Sequence, residues 1–251
     1  MLELQNFALI TGATSGIGKA CAQVLANGQK NLILVGRRID RLEELKKDLE
    51  ANNKIEVKIF QVDVQKLEQV EEMFKALKNV SIDILINNAG LARGRENFET
   101  YPWKDFEEMI QTNIVGFLKV AQLAIPFLKK TKGHIVNISS VSGIEAYENA
   151  GVYCGTKAFV KMFSKALRYD LLGTGIRVTD IAPGAVETEF SVVRLRDEDQ
   201  AGKYYEGFVP LKSEDIADTI FFAVTRPKHV NIEFLVVYPT SQASPVRFEK
   251  G

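Results

Sequence analysis

Seven short apolar runs alternate along the chain with amphipathic helical patterns, and the first run ends on a glycine-rich turn, Thr11-Gly12-Ala13-Thr14-Ser15-Gly16-Ile17-Gly18. Such alternation leaves few folds open, because each strand must be followed by a helix that packs back on the sheet. The expectation is an α/β fold of the Rossmann type, a doubly wound, mostly parallel seven-stranded sheet with helices on both faces. Strands are read over residues 7–11, 32–35, 55–62, 82–86, 135–139, 176–182 and 232–237. Helices are read from the glycine turn to about 26, then over 41–51, 67–77, 103–130, 152–172 and 214–224, with Pro126 expected to kink the longest. The chain has 251 residues and reads as a single domain over 1–251, with a segment of about 186–211 as a substrate loop or lid. Ligands in such sheets bind outside the carboxyl ends of the strands, where the strand order reverses.

The polar motifs fall at those strand ends. In the first turn, Gly12 permits the tight bend, Gly16 lets the backbone approach a pyrophosphate, and Gly18 allows helix and strand to pack closely. The helix start beside Thr14, Ser15 and Ile17 offers free N–H groups to phosphates. A NAD site would carry an acidic residue after the second strand, whereas here Gly36 is followed by Arg37 and Arg38. A guanidinium fork matches a 2′-phosphate, so NADP is the expected cofactor. The competing reading makes one arginine a solvated partner of Glu43 or Glu44. Asp63-Val64 ends the third strand, where Asp63 either accepts from the adenine amino group or caps the next helix. Asn87-Asn88-Ala89-Gly90 ends the fourth, and Pro183-Gly184-Ala185-Val186-Glu187-Thr188 follows the sixth and can bend over a nicotinamide. Asn113 sits inside a helix, where asparagine is a poor former, which marks a local conflict of the kind found at functional sites.

Tyr153 and Lys157 stand four residues apart, on one face of one helix. A phenol with a pKa of about 10 is a poor base at neutral pH. A nearby ammonium favours the phenolate and makes the group a usable proton donor or acceptor. Ser140, at the end of the fifth strand, can reach what Tyr153 reaches. Taken alone, the pair would only pack and solvate a helix.

Composition narrows the function by exclusion. Two histidines (His134, His229) and two cysteines (Cys21, Cys154) argue against a zinc enzyme, a His-dependent hydrolase and a disulfide scaffold, and point to a reducing cytosol. Cys154 reads as a packing residue. Thirty-two basic residues balance thirty-two acidic ones, so nothing argues for nucleic acid or a membrane surface. No apolar run approaches about 20 residues, and Met1-Leu2-Glu3-Leu4-Gln5-Asn6 shows no secretory pattern. No metal site is read.

The pattern TGATSGIG, NNAG, Asn113, Ser140, Tyr153-x-x-x-Lys157 and PG-x-V-x-T resembles the short-chain dehydrogenase/reductase family from first strand to last. The resemblance implies that Tyr153 is the general acid/base and that Ser140 orients the substrate oxygen. It also implies that Lys157 lowers the Tyr153 pKa and holds the nicotinamide ribose, and that Asn113 holds a relay water. It places NADP against Gly12, Thr14, Ser15, Gly16, Ile17, Gly18, Asp63, Val64, Asn87, Ala89, Gly90, Pro183, Gly184, Val186 and Thr188. Some NADP-using members carry a basic residue where Ser15 stands, so the 2′-phosphate preference rests on Arg37 and Arg38.

Ala146-Tyr147, the segment from Val186 to Arg194, and Pro239-Thr240-Ser241-Gln242-Ala243-Ser244-Pro245 are similar to NADP-dependent 3-hydroxy acid dehydrogenases. That likeness implies a small 3-hydroxy acid substrate (L-allo-threonine, serine or 3-hydroxyisobutyrate) and a homotetramer. A small carboxylate needs a cation beside the nicotinamide, and Arg194 is the candidate, with Ser140 and Tyr147 also facing substrate. The alternative pairs Arg194 with Asp197, Glu198 or Asp199 on a solvated lid, and Arg93 and Arg95 are weaker candidates. The rival functions are a reductase of bulkier carbonyls (pterin, quinone or steroid) and a noncatalytic NADP(H) sensor.

Overall fold

The computed structural model describes residues 6–251, so the reading of the first five residues lies outside it. Strands β1 (Phe7–Thr11), β2 (Asn31–Gly36), β3 (Val57–Gln61), β4 (Ile82–Asn87), β5 (His134–Ile138), β6 (Arg177–Pro183) and β7 (Phe234–Val237) form one sheet in the order β3-β2-β1-β4-β5-β6-β7. Every pairing is parallel. The order reverses between β1 and β4, and a crevice opens there at the carboxyl ends.

The strands are apolar runs because both faces are covered. Helices α1 (Gly16–Asn27), α2 (Ile39–Asn52) and α9 (Ser213–Val224) bury Leu25, Leu42, Ile216 and Ile220 against one face. Helices α3 (Leu67–Ala76), α5 (Phe117–Thr131) and α6 (Gly151–Asp170) bury Met73, Leu128 and Leu167 against the other. Leu9 and Ile86 are fully buried in the central strands. Truncating either to Ala would cost about 2–5 kcal/mol, the usual toll of an opened cavity.

Three local readings change. Pro126 does not break its helix, which runs through it as α5. The irregularity lies upstream, where α4 (Trp103–Ile110) passes into a π-helical turn over Gln111–Gly116 around Asn113. The Asn113 amide within that turn bonds outside the helix, to Leu91 and Thr156. The stretch Trp103–Thr131 is also long and apolar enough by composition to cross a membrane. Its Val120, Ala124 and Leu128 are spent on the sheet, as in a core helix. The lid segment carries two short helices that the sequence reading left as loop, α7 (Glu189–Leu195) and α8 (Glu198–Tyr204), capped by Thr188 and Asp197.

Candidate active site

Helix α6 presents Tyr153 and Lys157 to the sheet, 7% and 6% exposed. Ser140 follows β5 and is equally sheltered; its Oγ accepts from Ser142 N at 3.1 Å and lies where it favours the Tyr153 phenolate. Lys157 Nζ donates to the Ile138 carbonyl at 2.9 Å. Asn113 Oδ1 accepts from Leu91 N at 2.9 Å, and its Nδ2 donates to Leu91 O at 2.8 Å and Thr156 Oγ1 at 3.1 Å. The Asn113 side chain therefore ties the loop after β4 to α6. A Cβ on Gly90 would lie 3.3 Å from Asn113 Oδ1 and 3.4 Å from Lys157 Nζ, so these two groups converge on a bare backbone.

Burial pushes the Tyr153 phenol up, with Arg194 and the Ser140 hydroxyl pulling the other way. Burial also lowers the Lys157 ammonium to about 8, opposed by Asp180. The cation that most favours the phenolate in this geometry is Arg194, and the Lys157 ammonium is engaged with the main chain.

A cleft of about 360 Å³ runs from these residues to the ends of β2 and β3. Its walls include Gly12, Thr14, Ser15, Gly16, Ile17, Arg37, Arg38, Asp63, Val64, Ala89 and Gly90. Ser140, Tyr147, Tyr153, Lys157, Pro183, Gly184, Val186, Thr188 and Arg194 line it as well. Three expected residues stand behind the wall. Gly18 has no room for a Cβ, which would sit 2.3 Å from the Gly12 carbonyl oxygen, so it packs α1 on the turn. Asn87 is 2% exposed and donates to Phe117 O at 3.0 Å. Asn113 is bonded as described.

The cleft fits a dinucleotide with a 2′-phosphate. Gly12 holds φ +69°, a conformation that favours glycine, and a Cβ there would lie 2.8 Å from Asn88 Nδ2. Arg38 spreads its guanidinium over Thr14 Oγ1 and Ser15 Oγ, each 2.9 Å from Nη2, and reaches Glu189 at 2.8 Å. Its carboxylate partner is therefore Glu189, in the lid, rather than Glu43 or Glu44. Asp63 Oδ1 accepts from Gln65 N at 3.1 Å, which closes a local turn, and the N-cap position of α3 falls to Lys66, whose side chain makes no capping bond.

Arg194 is buried beside the phenols. Its Nη1 donates to Tyr147 Oη at 2.9 Å, its Nε to Gly94 O at 3.3 Å, and its buried Nη2 has no partner. No lid carboxylate takes it, since Asp197 is turned to Gln200 at the start of α8. Arg93 is spent on Glu108 at 2.7 Å and Val193 O at 2.8 Å. Arg95 lines the cleft over the rings of Tyr147 and Tyr204. Cys154 is buried. Among the wall residues that the sequence reading did not single out are Phe190, whose ring lies 5.8 Å from that of Tyr153, and Tyr204. Nothing in their spacing separates them from core aromatics.

Comparison with known proteins agrees with this geometry. The family model described as short chain dehydrogenase matches residues 6–199. The NADP-dependent 3-hydroxy acid dehydrogenase of Schizosaccharomyces pombe is 41% identical over 239 residues, 93% of this chain and 92% of that protein. Sulfoacetaldehyde reductase 2 of Chromohalobacter salexigens is 41% identical over 245 residues, 96% of each chain. The solved closed form of a serine dehydrogenase complexed with NADP+ shares the fold at TM-score 0.89 and 40% identity, covering 94% of this chain and 96% of that one.

Proposed function

Because the chain belongs to the short-chain dehydrogenase family, we propose that it is an NADP-dependent oxidoreductase acting reversibly between a small 3-hydroxy acid and its 3-oxo form. The observation that carries the substrate class is Arg194, a buried guanidinium that lines the cleft beside Tyr153 with one Nη unpartnered among the described residues. A buried N–H of a charged group is costly to leave unmade, and a carboxylate two atoms from the reacting carbon would fill it. The names of the relatives support the same reading.

NADP, when bound, accepts or supplies the hydride. The glycine turn and the start of α1 hold its pyrophosphate, Arg37 and Arg38 its 2′-phosphate, and Lys157 its nicotinamide ribose. In oxidation Tyr153 takes the substrate hydroxyl proton, and in reduction it returns one to the carbonyl oxygen. Ser140 orients that oxygen, and Asn113 fixes the loop that carries Gly90 and Leu91 against α6. Phe190 and Arg194 narrow the substrate end, which disfavours pterins, quinones and steroids.

A short sulfonated aldehyde is the second reading, favoured by the sulfoacetaldehyde reductase relative and by Arg95, a second guanidinium over Tyr147. We read the chain as one cytosolic domain whose segment 186–211 acts as the lid. A homotetramer accords with the outer face of α6, where Gly151, Gly155, Ala158 and Met162 are exposed and a Cβ on either glycine would meet nothing within 4 Å.

The test is reduced-nicotinamide absorbance with NADP+ or NAD+ and L-allo-threonine, L-serine or 3-hydroxyisobutyrate, with sulfoacetaldehyde and NADPH in the reverse direction. Turnover of a hydroxy acid with NADP+ strongly preferred is the expected result. Activity confined to bulky neutral ketones would overturn the substrate class.

A further inference from the structure

Asp180 is a carboxylate for which the mechanism above has no use. It lies in β6 at 2% exposure, and both its oxygens are buried without a hydrogen-bond partner among the described residues. Strand alternation turns it toward α6. Val178, two residues earlier, packs in one cluster with Leu167 and Leu171. Asn137, its register partner on β5, donates to Ser164 of α6 at 2.8 Å. An isolated carboxylate in such a seam would be expelled or neutralised unless an opposite charge faces it.

The facing charges are on α6: Lys157 and, one turn later, Lys161. From β5 the Ser139 hydroxyl and main chain also favour the ionised form. From β7 the register neighbour is the apolar Phe234, over which Lys161 lies. Lys157 is the more buried lysine, and Asp180 is the group that favours its ammonium.

We propose that Asp180 is a positioning residue whose negative charge keeps the Lys157 ammonium protonated and bonded to the Ile138 carbonyl, and so sets the pH range over which Tyr153 works. Burial raises the Asp180 carboxyl to about 6 and lowers Lys157 to about 8, and each charge opposes the shift of the other. Near neutrality the pair is therefore ionised on both sides. Without Asp180 the buried ammonium would lose its counter-charge and give up its proton at lower pH. Tyr153 would then keep Arg194 as its facing cation but lose the ammonium one helical turn away, and its phenolate would form at somewhat higher pH.

This inference rests on the reading of Tyr153 and Lys157 as the acid/base pair, so its test includes a measurement that needs no substrate. The Lys157 titration is followed by NMR in protein carrying isotope-labelled lysine, with the resonance assigned by its loss in Lys157→Arg. In Asp180→Asn the Lys157 midpoint should fall by about one pH unit, equivalent to a tenfold change in the ionisation constant, and in Asp180→Glu it should return toward wild type. In parallel, the rising limb of the single-turnover oxidation rate should move up, with kcat down about twofold at pH 7 and about fivefold at pH 8 and the hydroxy-acid KM little changed. A Lys157 midpoint unmoved in Asp180→Asn overturns the proposal, however much stability or rate that variant loses. Should Asp180→Asn fail to fold, the reciprocal measurement carries the test: the Asp180 carboxyl is followed by NMR in protein carrying isotope-labelled aspartate, wild type against Lys157→Met. Loss of the facing ammonium should raise the Asp180 midpoint, and an unmoved midpoint overturns the proposal. Wild-type silence toward hydroxy acids with a normal Lys157 response would refute the substrate reading alone.

Discussion

Arg194 holds its guanidinium 5.5 Å from the ring centroid of Tyr153 and 5.7 Å from that of Tyr147. One cation therefore faces both the phenol proposed as the acid/base and the cleft proposed for a substrate anion. Its two effects are separable, because a neutral substrate makes no ion pair with it. Arg194→Ala should raise the KM for hydroxy acids by about tenfold to a hundredfold, the worth of charge-assisted hydrogen bonds. For a neutral ketone KM should stay near wild type. Equal losses for both substrates would sink the anion role.

Tyr153 packs in a small cluster with Leu91, Phe106 and Met109, so its ring has a structural duty apart from its hydroxyl. Tyr153→Phe keeps the ring. The variant should lose at least about a hundredfold in turnover, as for removal of a general acid/base, and should bind NADPH nearly as wild type by fluorescence titration. Substantial residual turnover would remove Tyr153 from the mechanism.

The adenosine end of the cleft is bridged by Glu189, which accepts from Arg38 at 2.8 Å and Arg41 at 2.6 Å. A 2′-phosphate arriving at Arg38 must compete with that carboxylate. These pairs are exposed and worth only about 0.2–1 kcal/mol each. Glu189→Gln should therefore tighten NADP+ only a few-fold and leave NAD+ unchanged. Arg38→Ala should weaken NADP+ by about tenfold or more, the worth of a charged hydrogen bond, and spare NAD+. Parallel changes for the two cofactors in KM measurements would demote Arg38 to a surface charge.

Much of this site was legible because its residues break local rules at fixed places. Gly12 and Gly16 interrupt a strand–helix junction, Arg37 and Arg38 stand where an acid is expected, and Asn113 sits in a π turn within a helix. Alternating apolar runs revealed the parallel sheet for the same reason, since strands covered on both faces cannot be amphipathic. The helices within segment 186–211 were not legible. Short helices such as α7 and α8 have too few turns for a periodic pattern, and the pairing of Glu189 with Arg38 crosses the cleft without a sequence signal. Asp180 did carry one, a carboxylate in the buried middle of a strand whose other charge, Arg177, stands at its half-buried start. Its consequence depends on the face it takes, which a single strand does not show.

His134 supplies a pH dependence of stability that is independent of catalysis. It is 1% exposed, its Nε2 lies 2.7 Å from Thr179 Oγ1, and its Nδ1 is buried without a partner. Burial, aided by the positive charge of Arg177, lowers its pKa from 6.5 to about 3. The native ring is thus neutral where the unfolded one is charged, and protons favour the unfolded chain between those values. Its contribution is whole above pH 6.5 and declines as pH falls toward 3, by at most about 1.4 kcal/mol per pH unit. Asp180 works in the opposite sense: its carboxyl is raised from 3.8 to about 6, so its contribution is present below 3.8 and lost as pH rises through 6. The two partly cancel between about pH 4 and 6, and above that window the histidine acts alone. Urea unfolding across this range should show a shallow pH slope in wild type, a steeper acid-side loss in Asp180→Asn, and a reversed slope in His134→Gln. Parallel slopes in wild type and His134→Gln would show that the imidazole is not held neutral by the fold.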